Sequence, residues 1–224
     1  MIKNLYLTLY NLACCAGWAY VLGLTFQTVN QDRNIDVSAA KLWAIVEIPL
    51  KIVQTAAIME ILHAMVGIVR SPVFSTVLQV SSRLALLWMI NDLVPETRAH
   101  WGFVMMVTSW SLVEVPRYAF YALNLWNAVP DWLFFLRYHL FMVLYPTGIS
   151  GEVSCMLSAL PYVTNGAYAI QMPNDHNVAI SLQFMIYLTL VVYVPGSPFM
   201  YQNMNNMRKK AYAKKNEAKT LKKD

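Results

Sequence analysis

Residues 5–26 read LYLTLYNLACCAGWAYVLGLTF, a run of 22 residues without a charge. A helix rises about 1.5 Å per residue, so about 20 apolar residues cross the hydrocarbon core of a bilayer. The run exceeds the roughly 7–15-residue core of a cleavable secretion signal, so it reads as a retained first transmembrane span. Working outward, further apolar segments lie near 42–69, 73–91, 101–124, 132–150 and 177–196. The second is overlong and would tilt or protrude. Residues 153–170 are apolar too, but Pro161, Asn165 and Gly166 interrupt them, so a loop or re-entrant piece is expected there. Counting that stretch as a span would give seven. The expected fold is therefore all-α, a polytopic membrane helix bundle of about six transmembrane helices.

Composition agrees. Hydrophobic residues make up 58% of the chain and charged residues 13%. An ordinary soluble domain is about 45–50% apolar and about 25% charged, so this chain has too little charge to cover a water-facing surface. Of its 17 Lys and Arg residues, eight lie between Arg208 and the C-terminus. The +5 net charge is mostly a property of that tail. With no soluble domain to read a nucleic acid, the tail is expected to lie in the cytosol against anionic headgroups of membrane lipids. The run Pro195-Gly196-Ser197-Pro198 is expected to stop the last span. That leaves residues 1–200 as a single transmembrane domain and 201–224 as a basic tail. Six spans then place both termini on the cytosolic side, with Arg70 and Arg83 flanking another cytosolic connection. Trp43, Trp101, Trp126 and Trp132 sit near expected span ends, where aromatic belts form. No heptad seam or internal repeat is visible.

Ionisable residues inside a membrane are expensive, and each is a candidate for function. Glu47, Lys51, Glu60, His63, Glu114, Arg117, Arg137, His139 and Glu152 all fall in or near the expected spans. Some have partners within helical reach: Glu47 with Lys51, and Glu114 with Arg117. Such pairs serve structure as readily as chemistry.

Several chemistries drop out. His63, His100, His139 and His176 are scattered, so no histidine box for iron exists, and no GxSxG, HExxH or GxxxxGK[ST] motif occurs. Cys14, Cys15 and Cys155 have no metal-binding spacing. His63-Ala64-Met65-Val66-Gly67-Ile68-Val69-Arg70-Ser71 resembles the phosphate loop of cysteine phosphatases, but Ala64 stands where the thiolate nucleophile belongs. Arg70 keeps the capacity to bind an anion. No metal or other cofactor is expected.

The most informative stretch for chemistry is Leu136-Arg137-Tyr138-His139-Leu140-Phe141-Met142-Val143-Leu144-Tyr145-Pro146-Thr147-Gly148-Ile149-Ser150-Gly151-Glu152. Pro146 and Gly148 weaken a helix deep in a span, which is tolerated where backbone lines a cavity or is buried in protein. Tyr145 and Glu152 are seven residues apart, two turns, so an ideal helix sets them on one face with Cα atoms about 10 Å apart along the axis. Long side chains converging across that gap reach one small reacting group. An aromatic anchor beside a loop carboxylate is the alternative.

End to end, the chain resembles the very-long-chain (3R)-3-hydroxyacyl-CoA dehydratases, once called protein-tyrosine-phosphatase-like proteins. The likeness rests on Tyr6-Leu7-Thr8-Leu9-Tyr10-Asn11 and on Glu60-Ile61-Leu62-His63 leading to Gly67-Ile68-Val69-Arg70-Ser71-Pro72. It rests also on Trp110-Ser111-Leu112-Val113-Glu114-Val115-Pro116-Arg117-Tyr118, Leu144-Tyr145-Pro146-Thr147-Gly148 and Val194-Pro195-Gly196-Ser197-Pro198. The resemblance implies a six-span endoplasmic-reticulum enzyme with both termini cytosolic. It implies the third step of fatty-acid elongation, conversion of (3R)-3-hydroxyacyl-CoA to trans-2-enoyl-CoA, with Tyr145 and Glu152 as the catalytic pair. Other elongation enzymes are the implied partners. Leu221-Lys222-Lys223-Asp224 departs from a strict KKxx retrieval signal.

Dehydration needs a base at C2 and an acid for the leaving 3-hydroxyl. A phenol with pKa about 10 holds its proton at pH 7, and a carboxyl at about 4.3 does not. That favours Tyr145 as acid and Glu152 as base; a desolvated carboxyl that kept its proton would reverse the roles. Arg70, Arg83, Arg117 and Arg137 are the expected contacts for the phosphates of an acyl-CoA substrate. Glu60, His63 and Glu114 are the secondary catalytic candidates. The alternative to an enzyme is a membrane lipid carrier, or a scaffold for elongation enzymes.

Overall fold

A computed structural model describes residues 1–32, 34–164, 168–170 and 179–220. Arg33, His176, the start of the expected span at 177 and the Leu221–Asp224 end lie outside the described residues. The first helix, α1, runs Ile2–Gln31. It is followed by α2 (Ile35–Ala56), α3 (Ile58–Met65), and α4 (Val73–Leu84), which continues as a π-helical turn over Ala85–Asn91. A 3-10 turn at Pro95–Ala99 leads into α5 (Trp101–Asn124). Then come α6 (Asp131–His139), α7 (Phe141–Val163), a two-residue hairpin of β1 (Ala169–Ile170) and β2 (Ile180–Ser181), and α8 (Leu182–Thr220).

Four expectations change. The overlong segment 42–69 is broken at Ala57, whose N–H turns back to the Gln54 carbonyl, so a short α3 follows α2. The stretch from 153 to 163 is not a loop; it is the second half of α7, whose helix passes through both Pro146 and Pro161. Within 132–150 the interruption lies at Leu140, where α6 and α7 bend by 42°. Most consequential, Pro195 and Pro198 do not stop α8, which continues to Thr220. A proline ring is compatible with helical φ, and the hydrogen bonds it removes are made good by contacts on either side. Here Tyr193 bonds Glu152 and Tyr201 packs on Phe141, so α8 is held to α7 across the proline pair. The boundary expected at residue 200 therefore falls inside one continuous helix.

α5 sits centrally, with α1 on one side and α7 on the other. The buried residues of α1 are Leu7, Asn11, Cys14, Trp18, Val21, Thr25 and Thr28, a strict alternation of four and three. That is the seam of closely packed helices, although half its members are polar or small. Asn11, Thr25 and Thr28 satisfy their own side chains on carbonyls one turn back, at 2.7–2.8 Å. Around this core the exterior is apolar: Leu5, Leu9 and Phe26 of α1 and Phe184, Val191 and Val194 of α8 all face outward. A surface of that kind matches lipid rather than water.

Contacts between neighbours give the direction of each leg. Tyr10 and Cys15 of α1 reach Tyr118 and Val115 of α5, and Trp126 just beyond α5 donates to Thr8. Lys51 of α2 meets Asp92, and Trp88 meets Thr55. Gly102 and Ser109 of α5 lie on Ser154 and Thr147 of α7. Along α8, Tyr193, Tyr201 and Lys215 meet Glu152, Phe141 and Asp131 in turn. The legs thus alternate up and down, gathering the start of α1, the end of α5, the start of α6 and the end of α8 at one end of the bundle. By length and apolarity α1, α4 with its π turn, and α8 are each capable of crossing a membrane, and the bent α6–α7 pair makes a fourth. Four charged residues on α2 (Asp36, Lys41, Glu47 and Lys51), and the polar residues of α5, keep those two helices below that measure.

Candidate active site

Gly151 brings the site together. A Cβ there would lie 2.6 Å from the Met106 backbone nitrogen and 2.8 Å from the Gly102 carbonyl oxygen, so α7 and α5 touch backbone to backbone. Small residues permit such close approach between helices in a membrane. The next residue, Glu152, is pressed into the bundle and is 8% exposed. Its Oε1 accepts from the Trp110 indole N–H at 2.8 Å, and its Oε2 accepts from the Tyr193 hydroxyl at 2.8 Å. Indole nitrogen only donates, so Oε1 is the acceptor of this bond. Each oxygen keeps a second lone pair.

Tyr145 lies two turns earlier on the same uninterrupted helix, so the seven-residue ruler holds. It is half-buried, with Tyr201 at 6.2 Å between ring centroids and Ser197 of α8 beside its hydroxyl. The two side chains do not hydrogen-bond each other among the described residues. They line the same α7–α8 seam at two levels, Glu152 against Tyr193 and Tyr145 against Ser197 and Tyr201.

Behind Glu152 stands a ladder of charge. The Arg83 guanidinium packs over the Trp110 ring at 5.1 Å and bonds Glu114. Glu114 also takes Arg117 at 2.7 Å, Arg117 bonds Glu60, and Tyr118 donates its hydroxyl proton to Glu60. Two arginines and two glutamates sum to zero charge. Of the four arginines expected to meet phosphate, Arg83 and Arg117 are thus neutralised inside the protein. Arg137 donates to the Tyr121 hydroxyl at 3.0 Å and rests on the Tyr121 and Tyr138 rings. No carboxylate pairs with it among the described residues. Arg70 is exposed, in the turn after α3 that Gly67 makes with φ +70°.

The secondary candidates Glu60 and Glu114 are both occupied by arginine. His63 is buried and faces Tyr6, with Nε2 2.9 Å from that hydroxyl, rather than Glu60. Sequence reasoning alone does not single out Trp110, Tyr193, Ser197 or Tyr201 as site residues. Trp110 and Ser197 lie in segments that carry the family resemblance, and Tyr193 is a phenol in the middle of an apolar helix, where its hydroxyl needs a partner.

An all-helical bundle with an apolar exterior defines a multi-pass membrane protein, and the buried carboxylate and phenol along one interhelical seam form its candidate site. The chain belongs to the protein tyrosine phosphatase-like (PTPLA) family, whose model matches residues 54–214. Among curated proteins it is 46% identical over 215 residues to the very-long-chain (3R)-3-hydroxyacyl-CoA dehydratase PASTICCINO 2B of Oryza sativa subsp. japonica, covering 95% of each chain. It is 43% identical over 216 residues to PASTICCINO 2 of Arabidopsis thaliana, a protein of the same dehydratase name, covering 96% of each. With the human very-long-chain (3R)-3-hydroxyacyl-CoA dehydratase 2 it shares 36% identity over 220 residues, 97% of this chain and 85% of the other. No solved structure matches.

Proposed function

We propose that this protein is a lyase that removes water from very-long-chain (3R)-3-hydroxyacyl-CoA to give trans-2-enoyl-CoA, within fatty-acid elongation. The observation that carries the reading is the doubly hydrogen-bonded Glu152 sharing a seam with Tyr145, in a chain that aligns end to end with proteins named for that reaction.

Glu152 takes the proton from C2. The C–H electrons form the C2–C3 double bond as the C3–O bond breaks, and Tyr145 gives its proton to the departing hydroxyl, which leaves as water. The phenolate recovers a proton from Glu152 through solvent, closing the cycle. Trp110 and Tyr193 hold the carboxylate in place as an acceptor, and the helices around it exclude bulk water, which strengthens each of these hydrogen bonds.

Six alternating legs are read as six membrane crossings with both termini in the cytosol, in the endoplasmic reticulum. The charges that keep α5 from looking like a span are paired within the bundle, so lipid never meets them. Membrane lipids surround the apolar exterior, and other elongation enzymes are the natural partners, since they supply the 3-hydroxyacyl thioester and consume the enoyl product.

The test is purified protein in detergent given a 3-hydroxyacyl-CoA, with enoyl-CoA followed by its absorbance. Enoyl-CoA formation that disappears in Tyr145→Phe and Glu152→Gln supports the reading. Absence of product from correctly folded wild type across a range of chain lengths overturns it and leaves a lipid carrier or scaffold.

A further inference from the structure

Away from the catalytic seam, the α6 and α8 helices enclose a cleft of about 430 Å³ lined by Phe135, His139, Arg208, Lys209 and Tyr212. This is the size of a small-molecule site. Its walls are aromatic: Phe135 and His139 stack with centroids 4.1 Å apart and planes at 16°, and Tyr212 meets His139 edge-on at 5.6 Å. Its cations are Arg208 and Lys209, and no carboxylate lines it. Among the described residues Arg208 makes only a weak contact, Nη1 to the Met142 sulfur at 3.8 Å, whereas Lys215 nearby is committed to Asp131 at 2.6 Å. A planar ring system beside two cations fits a nucleotide: the base stacks, the phosphates pair.

We propose that this cleft binds the 3′-phosphorylated adenosine diphosphate end of CoA, a reading that rests on the acyl-CoA reaction proposed above. Of the four arginines expected to meet phosphate, Arg83 and Arg117 are neutralised by Glu60 and Glu114, Arg137 is held on Tyr121, and Arg70, exposed after α3, does not line this cleft. Distance supports the assignment. His139 to Tyr145 is six residues and His139 to Glu152 thirteen, about 9 Å and about 20 Å along a helix. The pantetheine arm has thirteen chain atoms from phosphate oxygen to thioester sulfur, about four residues' worth of backbone and so about 14 Å extended. With the nucleotide in the cleft the sulfur falls between the two levels, and C2 and C3, two and three bonds further on, fall between Tyr145 and Glu152. Between the cleft and Tyr145 lie Met142, which Arg208 touches, and Tyr201, which packs on Phe141 and Tyr145.

The experiment compares 3-hydroxyacyl-CoA with the 3-hydroxyacyl-pantetheine of the same chain, using the full chain in neutral detergent. Arg208→Gln with Lys209→Gln should raise KM for the CoA thioester about tenfold, with kcat within about twofold, and leave KM for the pantetheine thioester in place. Tyr212→Ala should move KM in the same direction. Adenosine 3′,5′-bisphosphate should compete with the CoA thioester in wild type and lose about tenfold in potency in the double variant. Unchanged KM for CoA, or equal loss with both thioesters, overturns the proposal. An effect seen only when anionic phospholipid is added assigns the cleft to a lipid headgroup and overturns it too. If wild type turns over neither thioester, the dehydratase reading fails by itself, and calorimetric titration of adenosine 3′,5′-bisphosphate into wild type and double variant still decides the cleft.

Discussion

Glu152 has two donors because each oxygen is buried against a different helix, Trp110 from α5 and Tyr193 from α8. A buried carboxylate without partners is costly, so the site is built around satisfying this one. In the proposed mechanism each replacement removes a proton-transfer group, so Tyr145→Phe and Glu152→Gln should each lower kcat by about 10²–10⁴. The double variant should be little worse than the worse single one, because the two groups act as a unit. Steady-state kinetics on protein with an unchanged detergent elution profile checks both statements, and wild-type turnover in either single variant removes that residue from the mechanism. Tyr193→Phe deletes one hydrogen bond to a charged group, a loss of about 1.5–3 kcal/mol, so kcat should fall roughly 10- to 100-fold with KM nearly constant. Full activity of this variant would show that Trp110 alone positions the carboxylate.

Among the elements, α5 and α7 are the pair on which the site depends. Their contact at Gly151 and Gly102 is backbone to backbone, and no side chain can swing away to admit a methyl group. Gly151→Ala should therefore force the helices apart and destabilise the bundle by about 1–3 kcal/mol, as overpacking typically does. Because Glu152 is the next residue, activity should fall more than stability. The paired readout is thermal unfolding in detergent beside the dehydration rate; a variant as stable and as active as wild type would mean that α7 does not lie against α5 as described. α8 shows the reverse case, in which contacts of Tyr193 and Tyr201 with α7 carry a helix through two prolines.

Across the whole molecule, the charge ladder from Glu60 through Arg117 and Glu114 to Arg83 ties α3, α4 and α5 together. Glu114 bonds both arginines and is 1% exposed. Glu114→Gln leaves Arg83 without its carboxylate and Arg117 with Glu60 alone, and removing one partner of a buried ion pair costs about 3–5 kcal/mol. In a chain of this size that lowers the unfolding temperature by roughly 10 °C. Scanning calorimetry or a fluorescence melt in detergent measures it; an unchanged melting temperature would show that the ladder adds nothing to stability. Arg83 touches the site through the Trp110 ring, so the same substitution should also reduce the rate.

Taken alone, the sequence determined the solvent and therefore the fold class: long uncharged runs are stable only in lipid, and in lipid a chain satisfies its backbone as helix. It also placed Tyr145 and Glu152 on one face, because a seven-residue separation is two helical turns whatever the surroundings. Helix ends were less legible. Proline and glycine are strong stop signals only when nothing outside the helix holds it, and α7 and α8 are held. The packing face of α1 was invisible, because its four-three alternation of Leu7, Asn11, Cys14, Trp18, Val21, Thr25 and Thr28 stands against an exterior just as apolar. Periodicity needs contrast between core and surface, and a bilayer removes that contrast. The pairs Glu47–Lys51 and Glu114–Arg117 were legible from helical spacing, and only the tertiary structure decided which distant charges pair. Glu60 and Arg117 lie 57 residues apart, and Arg83 and Glu114 lie 31 apart, so no local spacing announces either bond. The same holds for Tyr193, 41 residues from Glu152. Its role exists only because α8 folds back antiparallel along α7 and sets a phenol at the level of a carboxylate.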